Sequence, residues 1–210
     1  MEFDRNEWLG CWVNFESYIY SEEPAMVQCW QEAESIARKM PMFKNGAKAF
    51  WRMACDTVTE DNPVRLGGWH IEADGEGMQI EWIGENGENL GKQNYILTAI
   101  IPKGLEAKEN FLFEAMDAPT GWPFRYLLAM APMPPRPTLA EGGLLSHLHF
   151  QYAGNLESII KDGKMVRPMW YATMCAGEGT LLDRCNIVRA LHRLPIWKAL
   201  PQDTCIADFD

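Results

Sequence analysis

The sequence predicts a mostly β fold in which antiparallel strands close into a barrel that carries helical insertions. Five extended segments follow one another between residues 66 and 131, separated by short runs rich in glycine and charged residues. A further segment, Ser146–Tyr152, alternates polar and apolar side chains with the period of a strand. Strands in series form an up-and-down run, which loses its exposed edges when it closes into a barrel.

The elements before the barrel strands are predicted from apolar spacing. Residues 7–20 contain an aromatic first strand with Trp12 as a core residue. An amphipathic helix is predicted over Glu23–Met40 and a short second helix over 47–55, where apolar residues recur at helical spacing. The five extended segments are Leu66–Ala73, Gly77–Ile83, Asn94–Pro102, Asn110–Met116 and Pro123–Ala131.

The rest of the chain is predicted to complete the same unit. The proline-rich run 132–137 cannot pair in a strand ladder, so we expect a stiff connection that forms a lip beside the histidine strand. Helices are expected over about 153–195, one capped by Asn155 and one by Thr180, and the acidic tail from Pro195 is expected to be loosely held. With no internal repeat, residues 1–210 are predicted to form a single domain.

Composition excludes several classes of function. A formal charge of −10 argues against nucleic acids and anionic membranes as partners. The N-terminus has acidic residues where a secretory signal is basic, so a cytoplasmic location is expected, and no apolar run reaches the roughly 20 residues that span a bilayer. The six cysteines form no Cys-x-x-Cys pair, which excludes a zinc ribbon and favours free thiols over disulfides.

His147 and His149 are the main site candidates. They point to the same face of the predicted strand, about 6.6 Å apart along it, and can converge on one metal ion. Such a pair also occurs in ordinary hydrogen-bond networks. Zinc takes four ligands, three of them from protein at an open site, so two histidines need completing groups. The candidates are a thiol or one of three residues: Glu114, Glu81 and His70, the last expected to face outward.

A second set of residues is a candidate for binding a small apolar or aromatic molecule. Glu114 lies among apolar neighbours on a strand, and a buried carboxylate there needs a partner such as Arg125 or a metal. Trp12 and Met130 could line a cavity, since a barrel of about eight strands can hold one small ligand. Both residue types also serve simply as core.

Together these residues resemble the ZinT (YodA) family of bacterial zinc- and cadmium-binding proteins. The resemblance covers roughly residues 9–192 and lies in seven segments: Leu9–Trp12, Trp69–Glu72, Ile80–Trp82, Phe111–Glu114, Arg125–Leu127, Ser146–Phe150 and Pro168–Tyr171. It implies a calycin-like (lipocalin-like) barrel. It further implies that His147 and His149 face the barrel interior at its mouth and bind Zn²⁺.

The resemblance departs from the family at one ligand. The family's third histidine falls near Ala131–Pro132, where this chain has none, the family's histidine-rich segment is absent, and we expect the chain to lack the family's export signal. The leading expectation is therefore a zinc-binding protein with an incomplete site. The alternatives are a cyclase- or isomerase-type enzyme that uses the same histidines as acid and base, and a carrier of an apolar ligand without catalysis.

Overall fold

A computed structural model describes residues 3–201 as ten strands and four α-helices. The strands are β1 (Gly10–Asn14), β2 (Leu66–Asp74), β3 (Gly77–Gly84), β4 (Asn89–Ile101), β5 (Asn110–Ala115), β6 (Tyr126–Met130), β7 (His147–Ala153), β8 (Ile160–Lys161), β9 (Lys164–Met165) and β10 (Ala172–Ala176). Eight of them close an antiparallel barrel in the order β1, β10, β7, β6, β5, β4, β3, β2, and β8 pairs with β9 outside it. The predicted fold class is confirmed.

Four α-helices pack outside the barrel wall. They are α1 (Glu16–Tyr20), α2 (Pro24–Ala37), α3 (Ala47–Cys55) and α4 (Leu181–Leu191). The first three lie between β1 and β2, where the sequence predicts only the two helices that correspond to α2 and α3; α1 lies in the segment 7–20 that is predicted to contain the first strand. Helix α4 packs on α2, and Arg189 on α4 reaches Glu32 on α2 with an N···O distance of 2.6 Å. The capping box predicted at Thr180 is present, because the side chains of Thr180 and Asp183 each accept from the other's backbone N–H.

Aromatic side chains fill the barrel interior. Trp69 on β2 lies with its ring centroid 5.1 Å from that of Trp82 and 4.7 Å from that of Phe150, and Trp82 stacks on Phe124 at 4.2 Å. Trp12 pairs directly with Trp69 in the ladder and is buried, as predicted. Each of these rings is fully buried, so they form the packed aromatic core of the barrel.

The register of β7 overturns the predicted orientation of the histidines. Leu148 pairs with Met174 and Phe150 with Ala172, and Phe150 contacts the interior ring of Trp69. Because side chains alternate along a strand, His147 and His149 point to the outer face of the barrel. The prediction that they face the interior is wrong. Neither ring is left in solvent, however, since loops and helices cover this part of the wall.

The C-terminal region differs from its predicted helices. The helix expected after Asn155 is a single 3-10 turn, Leu156–Ser158, followed by the β8–β9 hairpin. Strand β10 then closes the barrel between β1 and β7. All five of its residues are buried, so the segment lacks the alternation by which half-buried strands are recognised.

The proline-rich connection covers one end of the barrel beside the histidine strand. The prediction that this run cannot pair in a ladder is wrong at one residue, because Met133 forms an isolated antiparallel bridge with His147 through two backbone hydrogen bonds. Farther on, the Arg136 guanidinium bonds to the carbonyl of Leu9 and lies 5.0 Å from the Trp12 ring centroid. This segment therefore seals the end at which β1 begins.

The remaining expectations concern the tail and membrane insertion. Asn186 on α4 exchanges two hydrogen bonds with the backbone of Trp197, so the tail is held at least to that residue. The rest of the acidic tail, with Cys205, lies outside the described residues. Among the helices of residues 3–201, none has the length and apolar character needed to cross a membrane.

Replacing Trp12 by alanine is expected to lower the free energy of unfolding by about 3–5 kcal/mol, because it opens a large cavity among the interior rings. Urea denaturation would measure the change. The control is Met53→Ala on α3, whose side chain is 67 % exposed and which should change stability by less than about 0.5 kcal/mol. Equal midpoints for the two variants would contradict this account of the core.

Candidate functional site

His149 lies in a polar chain between the barrel wall and its outer cover. Its residue is 4 % exposed, and its Nδ1 is 2.7 Å from the Thr173 hydroxyl on the neighbouring strand. That hydroxyl donates to the carbonyl of Tyr171 at 2.7 Å. A hydroxyl has one proton and a carbonyl only accepts, so Thr173 must accept from His149 Nδ1–H. The tautomer of His149 is thereby fixed, with the lone pair of a neutral ring on Nε2.

A carboxylate from the β4–β5 loop faces this Nε2 atom. Glu106 sits in a 3-10 turn, Leu105–Ala107, with a left-handed backbone (φ 55°), and its Oε1 is 3.4 Å from His149 Nε2. Its other oxygen is 3.0 Å from the Lys108 ammonium. When Nε2 of His149 carries a proton, its hydrogen bond to Glu106, together with the Lys108 ammonium, lowers the pKa of the Glu106 carboxyl to about 2. Glu106 is therefore an anion at neutral pH.

Two hydrogen-bond acceptors thus face each other across 3.4 Å. With Nδ1–H committed to Thr173, a neutral His149 presents a lone pair to Glu106, which also has only lone pairs. Such a pair repels unless a cation lies between the two atoms. That cation is either a proton on Nε2 or a metal ion.

His147 has a different environment on the same face. Its Nδ1 is buried without a hydrogen-bond partner, and its ring centroid is 5.7 Å from that of His149. Burial lowers the pKa of the His147 imidazole to about 4, and the neighbouring His149 ring adds to the lowering. The side chain lines a cavity of about 200 Å³ beside α4, whose other lining residues are Leu144, Leu145, Ile187, Ala190 and Leu191.

The other predicted site residues do not join the two histidines. Glu114 and Arg125 pair with each other at 3.1 Å on the outer surface of β5 and the segment before β6. Met130 is buried opposite Asn110 in the same ladder, and Trp12 lies in the barrel interior. Each of these side chains is accounted for by packing or by its partner.

His70 faces outward, as expected. Within residues 3–201, no group of three or more His, Cys, Asp or Glu side chains is arranged to hold a metal ion. The described cysteines Cys11, Cys29, Cys55, Cys175 and Cys185 are free thiols, as predicted.

The carboxylate of Glu16, unlike that of Glu106, is buried, and it is satisfied entirely by the protein. Its Oε2 accepts from the Thr57 backbone N–H at 3.1 Å, the Thr57 hydroxyl at 2.7 Å and the Asn14 amide at 3.0 Å, and its Oε1 contacts Arg65. With four donors already engaged, this group ties α1 to the start of β2. It offers no free acceptor to a ligand.

Comparisons of the chain with protein-family models, with curated proteins and with solved structures find no match. The resemblance to the ZinT family stays a prediction. What the chain does is therefore argued from the site alone.

Sequence reasoning found His149 and missed its partners. Glu106 lies in a loop with no periodic pattern, and Thr173 lies on the strand that the sequence did not reveal. No local signal marks either residue. For Glu106, the sequence shows only that a carboxylate lies two residues from a lysine, between two predicted strands.

His147 is expected to make stability depend on pH between about 6.5 and 4. In that window the unfolded chain protonates this imidazole and the folded chain does not, so the free energy of unfolding falls as pH decreases, by at most about 1.4 kcal/mol per pH unit. Urea titrations of wild type and His147→Leu, with a chelator present, would measure the difference. The variant should gain on wild type by on the order of 2–3 kcal/mol from pH 7 to pH 4. A constant difference would contradict the burial of a neutral ring.

Proposed function

We propose that the protein binds a divalent transition-metal ion, with zinc as the reference metal, through His149 Nε2 and Glu106 Oε1. One observation carries the proposal: two acceptors face each other at 3.4 Å, with the tautomer of the histidine fixed from behind by Thr173. Zn–N and Zn–O bonds of about 2.0–2.2 Å at a tetrahedral angle place two ligand atoms about 3.3–3.5 Å apart. The separation of these two atoms matches one edge of that tetrahedron.

The surroundings of the pair favour a cation. Thr173 acts on the histidine as outer partners do at metal sites, where the second ring N–H is held by an oxygen. Glu106 is ionised, and the depressed pKa of His147 leaves that neighbouring ring uncharged, so it does not repel a positive ion. The competing charge is Lys108, which already pairs with Glu106. That contact is to Glu106 Oε2, so it leaves Oε1 to the metal ion but places a like charge near it.

The proposal keeps the predicted ligand class but changes the ligand set. The resemblance to a zinc-binding family also points to zinc, and His149 is one of the two histidines that it implicates. The site lies on the outer wall of the barrel, and Glu106 takes the place expected of a second histidine. With two protein ligands, water would complete the coordination, and the affinity should be below that of a three-histidine site.

A second candidate follows from the same pair holding a proton. The chain from Glu106 through His149 and Thr173 to the Tyr171 carbonyl resembles the arrangement in which a carboxylate and a histidine transfer a proton. The Glu106 side chain is 38 % exposed, so a substrate would approach from that side. This alternative predicts no metal at the site.

Zinc titration by calorimetry at pH 7.5, on untagged protein freed of metal, tests the proposal. Glu106→Gln keeps the shape of the side chain and removes its charge, and should weaken zinc binding by about tenfold or more. His149→Ala should abolish measurable binding. Lys108→Gln should tighten it about three- to tenfold, because a like charge near the ion is lost.

The matched control is Lys103→Gln, an exposed lysine at the start of the same loop, which should leave zinc affinity unchanged. Parallel titrations of Cys11→Ser and His70→Gln identify any zinc held elsewhere on the surface. If wild type, Glu106→Gln and Lys108→Gln bind zinc equally, the ion does not lie between His149 and Glu106. If none of the three binds it, the proton-transfer alternative replaces the metal proposal.

A further inference from the structure

A second chemical grouping lies two strands away from β7, on the outer face of β1 and β2. Cys11 and His70 are directly opposite each other in the ladder, and Cys11 Sγ is 3.2 Å from His70 Nδ1. The other ring nitrogen, Nε2, is 3.6 Å from Glu72 Oε1. A thiol, an imidazole and a carboxylate in this order have the geometry of an activated nucleophile.

We propose that Cys11 is a nucleophilic thiol that exchanges with low-molecular-weight disulfides, with His70 as its base and Glu72 positioning that base. This site is independent of the metal site at His149. The arrangement is consistent in its proton positions: when His70 Nε2–H points to the Glu72 carboxylate, Nδ1 has a lone pair for the thiol proton.

Glu72 is itself held in place on the open strand surface. Its Oε2 accepts from the Lys92 ammonium at 2.8 Å, a contact that leaves Oε1 toward His70. The only other charged residue paired with His70 across the ladder is Glu81, whose Oε1 accepts from Asn89 at 2.7 Å. Two carboxylates and one lysine thus lie near His70 on this surface.

Cys11 is exposed to solvent, whereas Cys29, Cys55, Cys175 and Cys185 are buried. Gly177 lies beside it, and a Cβ at that position would come within 3.1 Å of the Cys11 Cβ and 3.0 Å of its carbonyl oxygen. The Gly177 backbone packs against Cys11 and donates to its carbonyl at 2.9 Å, and the absence of a side chain at this position avoids a clash with the Cys11 Cβ.

The exchange balances without a further reagent. The thiol proton passes from Cys11 to His70 Nδ1 as Sγ attacks one sulfur of the disulfide R–S–S–R. A new Sγ–S bond forms, the R–S–S–R bond breaks, and the leaving thiolate takes the proton from His70. The disulfide is reduced to one thiol while Cys11 is oxidised to the mixed disulfide. A second thiol reverses the step.

The test uses 2,2′-dipyridyl disulfide, a neutral disulfide whose reaction is not biased by the net charge of the protein. All proteins in the assay carry Cys205→Ser, and a chelator is present. Neither this cysteine, which lies outside the described residues, nor a metal then contributes to the rate. The second-order rate at pH 7 should exceed that of N-acetylcysteine amide by about tenfold or more. Mass mapping should place the adduct on Cys11.

Substitutions around Cys11 distinguish a thiol that is activated by its neighbours from a thiol that is only exposed. His70→Gln should lower the rate to within about twofold of the free thiol, and Glu72→Gln should lower it about two- to fivefold. Glu76→Gln, at the exposed tip of the same hairpin, is the charge-matched control and should leave the rate unchanged. The side chains of Cys11, His70, Glu72 and Glu76 are exposed or partly exposed. Circular dichroism checks that the variants fold.

Two results would overturn the proposal. One is a wild-type rate no greater than that of the free thiol, which would show that Cys11 is exposed but not activated. The other is a fast rate that His70→Gln leaves unchanged, which would show that the imidazole takes no part. Neither result bears on zinc binding at His149, because the chelator removes metal from the assay.

Discussion

The packing of aromatic rings inside the barrel decides which side chains of the barrel strands point inward and which point to the outer wall. Trp69, Trp82 and Phe150 come from three strands and meet within about 5–6.5 Å of one another. Their side chains fix the register of these strands, because a slip of one residue would turn all of them outward. Once Phe150 points inward, its neighbours His149 and Gln151 must point to the outer wall. The outward orientation of the polar side chains of β7 therefore follows from the inward orientation of Phe150.

The outer layer then has to satisfy the polar groups that the register sends there. Gln151 donates to the carbonyls of Arg167 and Trp170, and His149 donates to Thr173. These partners come from the loop before β10 and from β10 itself. Burying a polar group without a partner costs about 1–3 kcal/mol, so the positions of loop and strand are coupled to the side chains of β7. The buried Nδ1 of His147 and the buried Oε1 of Gln151 are exceptions to this rule.

The sequence predicted those elements whose pattern is local. The helix over 47–55 and the strands at 66, 77 and 110 begin where predicted, because glycine-rich turns and helical spacing mark them. β10 escaped prediction because both its faces are buried and its composition does not alternate. The sequence was compatible with either orientation of β7, because the apolar face of the strand suits a core and its polar face suits a binding site. Glu106 reaches His149 only through the left-handed turn of its loop, which no residue pattern foretells.

The pairing of β1 with β10 also bears on how the chain acquires this structure. Residues 12 and 176 are partners in the ladder, so the last seam of the barrel joins segments separated by nearly the whole described chain. Contacts of such sequence separation form late and slowly, since the loop entropy must be overcome before they contribute. During synthesis β1 is the first of the barrel strands to be made, and β10, its partner at this seam, is the last. Until β10 emerges, the growing chain has unpaired strand edges, and these are the surfaces through which incomplete barrels associate with one another.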